Sequence, residues 1–223
     1  MVCLQGSKES GVEAKQIKVK TLALSFVAVA FVEAGLLFSK GTYDPLLRLG
    51  VARLLELGLI VLVVYSVEES LSSIGLDRTR WVSGLKRGLF WSAGFGALSG
   101  ILFAVAFIAG INPLSLIRTR LPKTSADLLL FFVVGGIVAP AAEEAFFRGI
   151  LYGFLRQWGI TGALVLSTCA FAFIHGLGHG FPVTQLVGGI LFAVAYEVEK
   201  NLVVPITIHC LGNLAIFSLS LLF

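Results

Sequence analysis

Apolar runs of near-constant length, separated by short polar stretches, set the pattern of this chain. They cover residues 21–39, 49–66, 88–111, 127–157, 161–177, 184–198 and 203–222. Most approach or exceed the length a helix needs to cross a hydrocarbon layer about 30 Å thick. The run at 127–157 is the longest, and Gly135, Gly136 and Pro140 interrupt it. Proline lacks an N–H and crowds the preceding turn, so Pro140 either kinks one long helix or opens a second. The pattern therefore predicts an all-α, polytopic membrane bundle of seven or eight transmembrane helices, forming one integral membrane domain over residues 1–223. The run at 88–111 is rich in Gly and Ala, which let helices approach closely in lipid.

Composition agrees with the pattern. Hydrophobic residues make up 57% of the 223, charged residues only 13%, and the mean hydropathy is +0.94. Soluble domains carry about 25% charged residues, so this chain lacks the material for an ordinary wet surface. The expected location is an integral, multi-pass one, in the plasma membrane if the source is prokaryotic. The polar, basic start of the chain followed by residues 21–39 reads as a signal anchor. The net charge of +4 comes largely from short loops. It reads as topology signal and contact with membrane lipid, and predicts no nucleic-acid partner. By that signal the N-terminus faces the cytoplasm. Three cysteines, Cys3, Cys169 and Cys210, are far apart and odd in number, which excludes a disulfide framework.

The informative stretch is "APAAEEAFFRGILYG", residues 139–153. A charge at the middle of a membrane helix costs at least about 2.5–3.5 kcal/mol, so three in one apolar run call for a purpose. Glu144 and Arg148 are four apart and share a helical face, where they can pair. Glu143 points elsewhere and has no local partner. A carboxylate left alone in an apolar setting suits general-base chemistry. The plain alternative is a structural ion network that fixes helix packing.

The histidines lie downstream: His175 and His179 in "FAFIHGLGHG", and His209 in "ITIHCLGN". If 140–157 and 161–177 form a hairpin turning at Gly159, Glu143 lies sixteen residues before the turn and His175 sixteen after it. Both then sit about 24 Å from the turn, at one height. His209 and Asn213 share a face of the last run, but the same counting leaves His209 some six residues short of that height. Phe171, one turn before His175, reads as a core aromatic packed beside it.

In these residues the sequence resembles the CPBP intramembrane proteases, which include type II CAAX prenyl endopeptidases and bacteriocin-processing relatives. EExxxR falls on Glu143, Glu144 and Arg148, FxxxH on Phe171 and His175, and HxxxN on His209 and Asn213. The resemblance covers 127–223 as a motif-bearing core; the first 126 residues match only in being hydrophobic. It implies a helical bundle with a catalytic chamber, in which Glu143 and His175 activate a water. His209 and Asn213 would steady the oxyanion, and Glu144 and Arg148 would hold the first motif helix. The implied reaction is glutamate-dependent hydrolysis of a peptide bond, in prenylated CAAX-type or other membrane-associated peptides, without a metal cofactor.

Three rival readings stand beside it. Glu143, His175, His179 and His209 are residue types that bind zinc, although the H-E-x-x-H spacing is absent. A cysteine nucleophile fits poorly, because Cys210 and Cys169 point away from the histidine faces. A non-proteolytic scaffold, bacteriocin-immunity factor or small transporter would use the buried acids differently. Glu33 and Glu56 are acids that suit proton coupling in a transporter; against that, Glu56 is expected to pair with Arg53, and Glu33 to reach water near a span end.

Overall fold

The computed structural model describes residues 16–38, 44–176 and 182–222. Among these the protein is helical throughout, without strands. Seven long helical segments follow one another: α1 Val19–Phe38, α2 Pro45–Glu68, α3 Trp81–Ile108, α4 Ser125–Trp158, α5 Ile160–Gly176, α6 Val183–Glu199 and α7 Val203–Ser220. Segments α1, α4 and α7, and the stretch Arg78–Ile108 containing α3, are long and apolar enough to cross a membrane. The 17-residue α5 is a shorter apolar helix.

The helix ends have local causes. Asp44 caps α2 by accepting from the N–H groups of Leu46 and Leu47 at 2.8 and 3.0 Å, and Pro45 takes the first position, where its missing N–H costs nothing. Thr124 caps α4 through the Asp127 N–H. Gly159, at φ 107°, makes the turn from α4 to α5 in a backbone region open to glycine and costly for other residues. Helix α3 begins at Trp81, seven residues before the apolar run.

Among the described residues there are seven segments and not eight, because Pro140 does not break α4. Wide π-turns over Val134–Val138 precede it, and a second set spans Ala145–Tyr152. Pro140 has no N–H for the carbonyl four residues earlier. A shift to five-residue hydrogen bonding removes that demand, so the helix continues.

Packing draws α7 against α3 and α4. A β-carbon on Gly84 would meet the Asn201 side chain at 2.6 Å, and one on Gly88 would meet Thr207 at 2.5 Å. These two glycines carry the close helix approach expected of the small residues. Gly94, Gly96 and Gly100 have nothing within 4 Å of that position, so no other described element packs closely on those three.

Two charged groups tie the first helices together. Arg53 pairs with Glu56, as its spacing predicts, and also with Glu33 of α1 at 2.6 Å. Glu33 does reach water, with 38% of its side chain exposed, and it pairs with Arg53 as well. Its chain position faces α2, and a guanidinium fork can serve two carboxylates at once. At the opposite end of these helices, the buried Glu68 accepts from the Lys18 N–H at 2.9 Å and the Thr21 hydroxyl at 2.5 Å. This fastens the start of α1 to the end of α2. Replacing Glu68 by Ala removes both bonds and is expected to cost about 1–3 kcal/mol. A fall in the thermal midpoint of the detergent-solubilised protein checks this, and an unchanged midpoint would show that α1 docks without it.

Candidate active site

The three motifs converge from α4, α5 and α7. Glu143 and Glu144 close the regular turn Ala139–Glu144 of α4, and Arg148 lies in the π-turns that follow. His175 occupies the last turn of α5, and His209 the second turn of α7.

The two adjacent carboxylates face different partners. Glu144 Oε1 accepts from Arg148 Nη1 at 3.0 Å and is 2.8 Å from His209 Nδ1. Glu143 Oε2 lies 3.7 Å from His175 Nε2 and 3.8 Å from His209 Nε2. His209 thus spans both acids, one ring nitrogen to each. The count that left His209 short of this level is corrected. It assumed helices level at shared turns, whereas the docking of α7 on Gly84 and Gly88 of α3 and on the π-turns of α4 sets its height.

Exposure divides the site into a sealed part and an open part. The Glu144 and Arg148 side chains have no accessible surface, while Glu143 keeps 17% and His175 30%. Of these four side chains, only Glu143 and His175 are open to water or a substrate. Arg148 is held by Glu144, by the Gly189 carbonyl at 3.1 Å, and by the rings of Phe147, Phe171 and Phe192, with the guanidinium carbon 5.9, 4.7 and 5.3 Å from their centroids. Such a cage combines ion pairing with cation–π attraction in a desolvated place.

The hydrogen bonds also set the imidazole tautomers. His175 Nδ1 faces the Phe171 carbonyl at 2.8 Å, an acceptor only, so Nδ1 carries the proton. His209 Nδ1 faces a carboxylate and does the same when Glu144 is ionised. Both Nε2 atoms therefore turn toward Glu143 with a lone pair in the neutral ring, or with an N–H in the cation.

Phe171 is buried and touches each motif. Its ring is 4.5 Å from that of His175, 5.8 Å from that of His209 and 5.2 Å from that of Phe147. Asn213 is not brought into hydrogen-bonding contact with Glu143 among the described residues. Its Nδ2 donates to the Gly135 carbonyl at 2.8 Å, an acceptor in the first π-turns of α4. Cys210 Sγ lies 3.8 Å from the Ile137 carbonyl, and Cys169 is exposed. His179 lies outside the described residues. Among those described, no group of three His, Cys, Asp or Glu side chains is arranged to hold a metal ion.

Sequence reasoning missed two participants, both on the motif-free α6. Gly189 gives its carbonyl to Arg148, and a β-carbon there would meet Thr168 at 2.9 Å. Phe192 stacks on His209 with centroids 4.5 Å apart and planes 21° apart. Neither carries a charge or a spacing that marks it in the sequence.

Comparison with known proteins finds likenesses over the motif-bearing part of the chain. Residues 125–215, less than half of the chain, match the model of the family described as type II CAAX prenyl endopeptidase Rce1-like. The matched segment holds all seven motif residues. Among curated proteins, the membrane-embedded CAAX protease MroQ of Staphylococcus aureus (strain USA300) is 34% identical over 93 residues, which span 39% of this chain and 36% of that protein. The chain thus covers about a third of that relative's length. No solved structure matches. The apolar helices described above and this family match together make the chain an integral, multi-pass membrane protein.

Proposed function

We propose that this protein is an intramembrane endopeptidase that hydrolyses a peptide bond with a water activated by Glu143 and His175. The observation that carries this reading is the convergence of Glu143 Oε2 with two imidazole Nε2 atoms, at 3.7 and 3.8 Å, at the exposed side of an otherwise sealed charge cluster. These separations exceed a direct hydrogen bond and lie within the span of one bridging water.

The chemistry follows from the hydrogen-bond inventory. A water placed there donates one hydrogen to Glu143 and the other to neutral His175, leaving its lone pair for the scissile carbonyl. As the C–O bond forms, Glu143 takes the proton, and the carbonyl oxygen becomes an oxyanion. His209 in its cationic form, its Nδ1 paired with Glu144, donates Nε2–H to that oxygen. Asn213 has one Nδ2 hydrogen beyond that used on Gly135. Such donors, aimed at developing charge in a dry site, are worth several kcal/mol. Collapse of the intermediate breaks the C–N bond, and the proton held on Glu143 passes to the leaving amine. The products are an amine and a carboxylic acid, whose remaining proton passes to the neutral His175 to leave the carboxylate.

The substrate class in this reading is a membrane-associated peptide, with prenylated CAAX-type peptides foremost because of the family match and the relative's name. No step calls for a metal. The test is incubation of the purified protein with matched prenylated and unprenylated peptides, followed by mass spectrometry, with and without excess EDTA and 1,10-phenanthroline. Cleavage at one bond at an unchanged rate under chelation is expected. No cleavage of any member would overturn the substrate class, and loss of rate restored by added zinc would overturn the metal-free chemistry.

A further inference from the structure

The three motifs fix what the acid and imidazole groups are, but not what holds the His209 ring in the one orientation that serves both glutamates. Rotation of an imidazole about its Cβ–Cγ bond has a broad, shallow profile. A turn of the ring would take Nδ1 off Glu144 and Nε2 away from Glu143 together. The ring therefore needs a wall.

The wall is Phe192. It lies against His209 face to face, with centroids 4.5 Å apart and planes 21° apart, so the imidazole cannot swing without driving an edge into the phenyl ring. Phe171 meets the same imidazole edge-on, at 5.8 Å and 81°. Phe192 is itself held. It is 7% exposed, packs with Ala195, Val204 and Ile208, and receives the Arg148 guanidinium 5.3 Å from its centroid. Arg148 in turn is bonded to Glu144, which accepts His209 Nδ1. The contacts close a ring: Phe192 to His209 to Glu144 to Arg148 and back to Phe192.

We infer that Phe192 is a positioning residue, which locks the His209 imidazole in the plane that directs Nδ1 to Glu144 and Nε2 to Glu143. Its consequence for rate rests on the proteolytic reading above; its consequence for the ring does not. Helix α6 thereby becomes part of the site without carrying a polar group in it.

The test exploits the presence of only three histidines in the chain. Protein labelled with 15N-histidine in detergent micelles gives ring-nitrogen signals for His175, His179 and His209, assigned by single substitutions. In the unaltered protein His209 should show a single set of ring-nitrogen signals with a slowly exchanging Nδ1 proton. Phe192→Leu and Phe192→Met, which remove the flat face, should broaden or average the His209 signals and speed that proton's exchange, leaving those of His175 in place. Phe192→Tyr, which restores the face, should return the His209 pattern.

On any peptide the unaltered protein cleaves, kcat for the Leu and Met variants should fall on the order of tenfold to a hundredfold, with KM within about twofold, since only the alignment of a reacting group is lost. Unchanged His209 ring-nitrogen signals and Nδ1 proton exchange rate in both variants would overturn the inference. So would failure of both to fold, because Phe192 would then be a core residue first. Absence of cleavage by any form, with the His209 signals responding as expected, would overturn the proteolytic reading and leave the positioning role intact.

Discussion

Glu143→Gln is expected to lower the rate of peptide cleavage by about 10²–10⁴-fold, the usual contribution of a positioned general base. The change is close to isosteric and removes only the capacity to take a proton. Glu143 keeps some exposure and is not paired with Arg148, so the fold has little stake in its charge. The thermal midpoint and the helical signal in circular dichroism should stay near those of the unaltered protein. A variant that folds and cleaves at full rate would dismiss Glu143 as the base. A variant that folds, fails to cleave and still performs the biological role would favour a scaffold or immunity function.

Arg148 is expected to matter for the fold itself. Arg148→Ala leaves Glu144 as a buried carboxylate without its cation and empties the space between three phenyl rings. Breaking one partner of a buried pair costs about 3–5 kcal/mol, a large share of a typical stability of roughly 5–15 kcal/mol. Low folded yield or a strongly depressed thermal midpoint is expected. Arg148→Lys should rescue poorly, because a point charge cannot reach both Glu144 and the Gly189 carbonyl or lie flat against the rings. Removing both charges with Glu144→Gln and Arg148→Met should recover part of the stability while leaving His209 without its carboxylate. If Arg148→Ala alone melts like the unaltered protein, the cluster has no structural role.

The contrast between these variants was partly readable in the sequence. The four-residue spacing paired Glu144 with Arg148 and left Glu143 over, because an α-helical face repeats at that interval and the π-turns begin only at Ala145. The level shared by Glu143 and His175 was also readable, since both belong to one hairpin with a single tight turn. Helix-level counting failed for His209, which sits two connections further on, where errors of tilt and docking accumulate. The π-turns of α4 were foreshadowed only as an interruption at Pro140. Glu33 looked like an end-of-span acid, because nothing local shows that Arg53 of the next helix reaches it.

By itself the sequence determined that the chain is a membrane-embedded helical protein, where its helices run, and which side chains can move protons. Those properties follow from apolar run length, from the cost of charge in hydrocarbon and from residue chemistry, all of them local. Only the tertiary structure decided which acid faces open space and which is sealed with Arg148. It also decided that His209 spans both, and that Phe192 and Gly189 of a motif-free helix hold the others in place. Those choices depend on how α7 docks on α3 and α4 and on which face α6 presents, and apolar packing of that kind leaves no charge or spacing in the sequence to announce it.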